Sequence, residues 1–152
     1  ISDQKIKSSF FKKKIKKSIT ENFTQDEINE FKSDLVISNA TIEHVGNFNN
    51  QKKMLENISN LSKKFFIVIT PNRFHPLEFH TKIPLIHWLP KSIHRKILGI
   101  LNLSFFAKEE NLNLLSKSDF EKIAHDESIF YEFKYIKFLF FKSNIIFIGK
   151  KK

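Results

Sequence analysis

The chain has 152 residues, enough for one domain with one core and too few to expect two. It contains no cysteine, which excludes disulfides and thiolate metal sites and suits a reducing, cytoplasmic setting. The net charge of +10 raises nucleic acid or an anionic membrane as partners. Lysine, isoleucine, asparagine and phenylalanine are inflated together, however, as an AT-rich coding sequence produces without any polyanion partner. The one dense basic run, Lys12 to Lys17, therefore reads as a solvated face. No stretch approaches the length of a transmembrane helix, and the start lacks the apolar run of a signal peptide. The chain opens on Ile1, and this reading expects it to begin inside a longer protein.

In chain order, "TQDE" at Thr24 to Glu27 is a capping-box pattern that predicts a short helix through Ile28 and Phe31. "DLVIS", Asp34 to Ser38, predicts a strand buried on both faces. Met54, Leu55, Ile58 and Leu61 recur at helical spacing and predict an amphipathic helix. "KFFIVIT", Lys64 to Thr70, predicts a second doubly buried strand. Strand, helix and strand with such short connections form a βαβ unit, hence a parallel pair with a right-handed crossover and an α/β fold.

The next stretch, "ITPNRFHPLEFHTKIPLIHWLP" at 69–90, gathers all four prolines, the one tryptophan and three of the six histidines. Ile93, Ile97 and Ile100 then predict the apolar stripe of a helix that also bears Lys91, His94, Arg95 and Lys96. Ser116 or Ser118 is expected to cap a helix beginning near Lys117. "FYEFKYIKFLFFKSNIIFIGK" is aromatic and β-branched with a polar break at Lys142 to Asn144, and predicts two paired antiparallel strands.

Three strings together carry a resemblance. "DLVISNATIEHVG" at 34–46 resembles the fourth strand and following loop of class I S-adenosylmethionine-dependent methyltransferases. "FFIVITPNRFHPLEFHTKIPLIHWLP" resembles the fifth strand and the insertion after it, and "FFAKEENLNLLSKSDFEKI" resembles the helix region before the sixth. The likeness covers roughly residues 30–150. It implies a partial Rossmann-like sheet of parallel strands ending in an antiparallel hairpin, and S-adenosylmethionine as cofactor. Members of this fold hold that cofactor through a glycine-rich turn after the first strand and an acidic residue ending the second. Here the glycines are Gly46, Gly99 and Gly149, and none sits in such a turn. Residues 1–152 are accordingly read as a single methyltransferase domain lacking its front βα units.

The resemblance implies that Ser38, Asn39 and Ala40, at the strand edge, touch the methionine part of the cofactor; for Asn39 a plain turn role competes. Methyl transfer needs an acceptor held in line and, for oxygen or nitrogen, a group to take its proton. His75 and His80 are the expected catalytic imidazoles, in a lid stiffened by Pro71, Pro76, Pro84 and Pro90. Glu43, His44, Asn72, Arg73 and Glu78 are expected to bind substrate; for Arg73 a surface ion pair competes, and for Trp88 a core position. No metal is expected, since Pro76 interrupts any helix that could align His75, Glu78 and His80. The seven-residue spacing of His80, His87 and His94 is broken by Pro84 and Pro90 and reads as coincidence.

The expected function is methyl transfer to a small-molecule or glycan/lipid-linked acceptor. A basic, non-catalytic module on an anionic membrane or nucleic acid is the rival, and an inactive remnant the third reading. Nucleic acid is not expected as a partner of the methyltransferase. Peripheral membrane contact, and self-association through the exposed edge of Leu35 to Ser38, accompany that reading.

Overall fold

The computed structural model describes Ile1, residues 12–125 and residues 129–151. In order these form α1 (Gln25–Phe31), β1 (Ser33–Asn39), a one-turn helix (Ile42–His44), α2 (Phe48–Leu61) and β2 (Ser62–Pro71). A second one-turn helix (Ile86–Trp88), α3 (Lys91–Ile100), α4 (Ser104–Ala107), α5 (Lys117–Ala124), β3 (Ile129–Phe138) and β4 (Phe141–Lys151) complete the chain. The starts of α1, α2 and α5 follow from a local polar group. Thr24 Oγ1 accepts from the Glu27 amide while the Glu27 carboxylate accepts from Thr24, closing the expected capping box of α1. Asn47 caps α2, and of Ser116 and Ser118 it is Ser116 that caps α5, reciprocated by Asp119.

The four strands form one sheet in the order β1-β2-β4-β3. β1 and β2 are parallel, with Val36 opposite Phe66, and β4 runs antiparallel to β2, with Gly149 opposite Phe66. This is the mixed α/β sheet that the βαβ pattern and the terminal hairpin demand. The parity of the register sorts side chains by face. Phe66, Val68, Ile145 and Phe147 join Met54, Leu55 and Ile58 of α2 and Phe120 and Ile123 of α5 in one core. Phe120 stacks on Phe147 with centroids 5.2 Å apart. Gly149 is required there, because a Cβ would lie 2.1 Å from the Phe66 ring.

The other face departs from expectation. β1 and β2 are not buried on both sides: Leu35 and Ile37 are 45% and 60% exposed, and Phe65 42%. In register they form one apolar row with the half-buried Ile67, Ile69, Ile146 and Ile148. The sequence carries the apolar pattern of a two-sided strand, but α2 and α5 share the core of one side. β1 is also one of the two edge strands of the sheet formed by the described residues.

Two further positions differ from the sequence reading. The hairpin turns at Leu139 and Phe140, both at positive φ (46° and 69°), so Lys142 to Asn144 lie inside β4. Ser143 and Asn144 are held there by pairing with Ile136 and Pro71. In α3 the inward residues are His94 and Leu98, whereas Ile93 and Ile100 are 46% and 80% exposed. Periodicity identifies the helix, but its rotation is set by packing against α4 and the one-turn helix at Ile86–Trp88.

Candidate functional site

β2 ends at Pro71, and the lid that follows folds back across the carboxyl ends of β1 and β2. Asn72 fixes its root, its amide donating to Ser143 O and its side chain to Lys142 O. Leu77 and Pro84 form an isolated antiparallel bridge, and Leu85 N donates to Pro76 O, so residues 76–85 close a compact loop. Arg73 reaches along the lid, Nε to His87 O at 3.2 Å and Nη2 to Leu89 O at 2.8 Å. It is a staple between lid segments rather than a surface ion pair, and burial pushes its guanidinium pKa down. Trp88 is 44% exposed, with its indole N–H aimed at His75 O, so it is not a core anchor.

Glu78 is the pivot of the loop. Buried at 2% exposure, its carboxylate accepts from the amides of His80 (2.9 Å) and Thr81 (2.6 Å) and meets His80 Nδ1 at 2.6 Å. Burial alone would raise its pKa. The hydrogen bonds from His80 and Thr81 prevail and hold the carboxyl down at about 2. The same Glu78 contact pushes the His80 imidazole pKa up, against the effect of its partial burial.

Across from His80 stands the one-turn helix after β1. Its Glu43 is fully buried; Oε2 accepts from Thr70 Oγ1 at 2.7 Å, and Oε1 has no hydrogen-bond partner. His44 Nδ1 lies 2.6 Å from Asn111 O, and His44 Nε2 lies 3.2 Å from His80 Nε2. Glu43 Oε1 is 4.0 Å from His44 Nε2. Glu43, His44, Glu78 and His80, separated by up to 37 positions in the chain, thus form one array beyond the ends of parallel strands. In open α/β sheets that is where ligands bind.

His75 lies elsewhere. It is buried at 3% exposure, stacked on Phe79 at 4.9 Å, with Nδ1 beside the Leu77 backbone and Nε2 3.4 Å from Phe138 O. Its carbonyl accepts from His87 Nε2 at 2.7 Å. Ser38, Asn39 and Ala40 line the end of β1, Ala40 at φ 49° with its amide on Ile69 O. They offer a rim for a cofactor but no cradle. Among the described residues no glycine turn follows a strand, and Gly46 (φ 96°) packs beside Asn50 and Glu110 instead. The residues present therefore do not by themselves fit a whole S-adenosylmethionine.

Sequence reasoning missed Asn113, and read Lys91 only as one of the basic residues of its helix. Asn113 is buried, donates to Gly46 O at 2.8 Å, and accepts from Lys91 Nζ at 2.6 Å. With Arg73, His87, His94 and Arg95 they line a small cavity of about 10 Å³ behind the lid. An asparagine in a loop carries no pattern that would have marked it.

No family model and no curated protein matches this sequence. Solved structures do. An O-methyltransferase family protein from Burkholderia thailandensis aligns over 90% of this chain and 35% of that chain, with TM-score 0.54 and 11% identity. The small RNA methyltransferase HEN1 aligns over 90% and 16%, with TM-score 0.53 and 17% identity. Human N-acetylserotonin methyltransferase, in complex with SAM, aligns over 90% and 33%, with TM-score 0.52 and 13% identity. The fold is that of a class I methyltransferase, in part. The chain spans less than half the length of the solved structures it matches.

Proposed function

We propose that these residues are the acceptor-side part of an S-adenosylmethionine-dependent methyltransferase domain, transferring methyl to an oxygen or nitrogen of a small-molecule or glycan/lipid-linked acceptor. The observation that carries this reading is the placement of Glu43, His44, Glu78 and His80 at the carboxyl ends of β1 and β2, on a methyltransferase-type sheet. The cofactor supplies an activated sulfonium methyl. The chain's own residues have the remaining tasks. The acceptor's O–H or N–H bonds to the imidazole pair, which takes its proton; Glu78 orients His80, and the Asn111 carbonyl orients His44. The lid, tied down by Arg73 and Asn72, limits water at that point. His80 is the catalytic histidine of this reading, and His75 positions the lid through its backbone contacts.

Under this reading the front of the cofactor site comes from outside residues 1–152. The isolated chain is then expected to bind S-adenosylmethionine far more weakly than the micromolar level, worth about 8 kcal/mol, expected of a complete site. Calorimetry checks this, and micromolar binding would overturn the division of the site. A cytoplasmic setting is part of the same reading, on the absence of cysteine; no helix among the described residues is long and apolar enough to cross a membrane.

The rival, a polyanion-binding module, draws no support from the geometry. Lys13 and Lys17 pair with Glu30 and Glu27, Arg95 pairs with Glu109, and Lys91 is turned inward to Asn113. The test of function is release of S-adenosylhomocysteine by the full natural polypeptide across hydroxyl- and amine-bearing acceptors. Turnover should fall sharply in His80→Ala with little change in thermal stability. Equal losses of activity and stability would instead make His80 structural.

A further inference from the structure

The groups that fix the two rings, the Asn111 carbonyl for His44 and the Glu78 carboxylate for His80, are both acceptors. The Asn111 carbonyl can only accept, so at 2.6 Å His44 Nδ1 carries the ring proton and Nε2 is left as a lone pair. The Glu78 carboxylate imposes the same tautomer on His80. With both rings neutral the two Nε2 lone pairs face each other at 3.2 Å, and a buried carboxylate oxygen, Glu43 Oε1, stands near them without a hydrogen-bond partner. One ligand atom from each of Glu43, His44 and His80 lies within 4.8 Å of the others. Three converging electron pairs repel unless a positive centre sits among them, and a proton between the two Nε2 atoms would leave Glu43 Oε1 unpartnered where an ion would engage all three.

We infer that Glu43, His44 and His80 form a binding site for a divalent first-row transition ion such as Zn²⁺. Two imidazoles and one carboxylate suit such an ion, leaving positions open for substrate. At bond lengths of about 2.1 Å, ligand atoms around one ion stand roughly 3.0–3.4 Å apart, the spacing already held by the two Nε2 atoms. Glu43 Oε1, 4.0 Å from His44 Nε2, closes the remaining gap by a turn of its carboxylate. Each ligand also has an outer partner that aims it: Asn111 O for His44, Glu78 for His80 and Thr70 Oγ1 for Glu43. Sequence reading finds no metal because it tests His75, Glu78 and His80 within one segment, whereas these ligands come from two segments on either side of β2.

The open side of the ion is the side of His44, which is 37% exposed at its side chain. With the ion bound, both Nε2 atoms serve as ligands in place of proton acceptors, so an acceptor hydroxyl bound there is acidified by the ion and gives its proton to solvent, which favours a hydroxylated acceptor over an amine. This last step rests on the methyltransferase reading; ion binding does not. The test is therefore made without cofactor. The full 152-residue chain, stripped with chelator, is titrated with Co²⁺ by visible absorption and with Zn²⁺ by calorimetry. One ion per chain is expected, with a raised melting temperature, and about a tenfold or greater loss of affinity in His44→Ala, His80→Ala and Glu43→Gln. Glu78→Gln should weaken binding by about 10–100-fold. His125→Ala, on the exposed turn after α5, should leave it unchanged.

Glu43 is buried, so if Glu43→Gln fails to fold, the half-exposed His44→Ala decides. Absence of saturable binding by the folded chain overturns the site, as does binding that His44→Ala and His80→Ala leave intact. A proton shared between the two Nε2 atoms, seen by ¹⁵N NMR and unmoved by millimolar Zn²⁺, also overturns it. Ion binding without methyl transfer would sink only the functional reading.

Discussion

The lid separates two histidine environments that differ in the sign of what surrounds them. On the strand-end side, His80 meets the Glu78 carboxylate and its affinity for a proton rises. Behind the lid, His87 and His94 are buried beside Arg73 and Arg95. Burial, then neighbouring positive charge, lowers the pKa of both, against the pull of the His75 carbonyl on His87 and of Glu78 on both. His87 Nδ1 and His94 Nε2 have no hydrogen-bond partner, and the charged groups that line the cavity with them, Arg73, Lys91 and Arg95, are all cations. An orphaned nitrogen among cations is a neutral filler of the interior, whereas one among carboxylates is a ligand. Residue type is the same, and the partner decides the role.

Removing the pivot should have the largest effect. Glu78→Ala strips the acceptor from two backbone amides and from His80 at once, and is expected to cost about 3 kcal/mol or more of stability. His94→Gln, which removes no hydrogen bond of the imidazole Nε2, is expected to cost markedly less. Urea midpoints at fixed slope measure both, and equal losses would erase the distinction between the two sides.

Acid should act on the rear side next. A histidine whose folded pKa lies below its unfolded value binds fewer protons in the folded state. Stability is therefore full above the unfolded pKa, near 6.5, and falls as pH drops below it. Urea midpoints between neutral and mildly acid pH should decline, and His94→Gln should flatten the decline. An unchanged curve in that variant would show that His94 takes up its proton as readily in the folded chain as in the unfolded one.

The smallest effect is expected of Arg95→Gln. It loses a partly exposed ion pair with Glu109, worth at most about 1 kcal/mol. It also removes one positive charge that opposes protonation of His94. The acid decline should become shallower while neutral-pH stability barely moves. A steeper decline would mean that Arg95 does not act on His94 through its charge.

Much of the fold was legible because its signals are local. Capping at Thr24 and Ser116 depends on groups three residues apart, and the stripe of Met54, Leu55, Ile58 and Leu61 on a repeat within one helix. The βαβ pattern dictates the parallel pairing of β1 and β2, and the aromatic terminal run dictates the hairpin. The candidate site was legible only as a set of residue types. Glu43, His44, Glu78 and His80 were all singled out from the chain, but as substrate or catalytic groups in two unconnected segments.

Tertiary structure alone decided the rest. The 3.2 Å meeting of His44 and His80 exists because β1 and β2 are neighbours in the sheet and the loops after them converge. The inward turn of α3 toward His94, against its isoleucine stripe, follows from its packing against α4 and the one-turn helix at Ile86–Trp88. The turn at Leu139 and Phe140 follows from strand register, which anchors Ser143 and Asn144 within β4. Local sequence sets which backbone hydrogen bonds and apolar stripes can form, but distances between side chains far apart in the chain exist only once the sheet has closed.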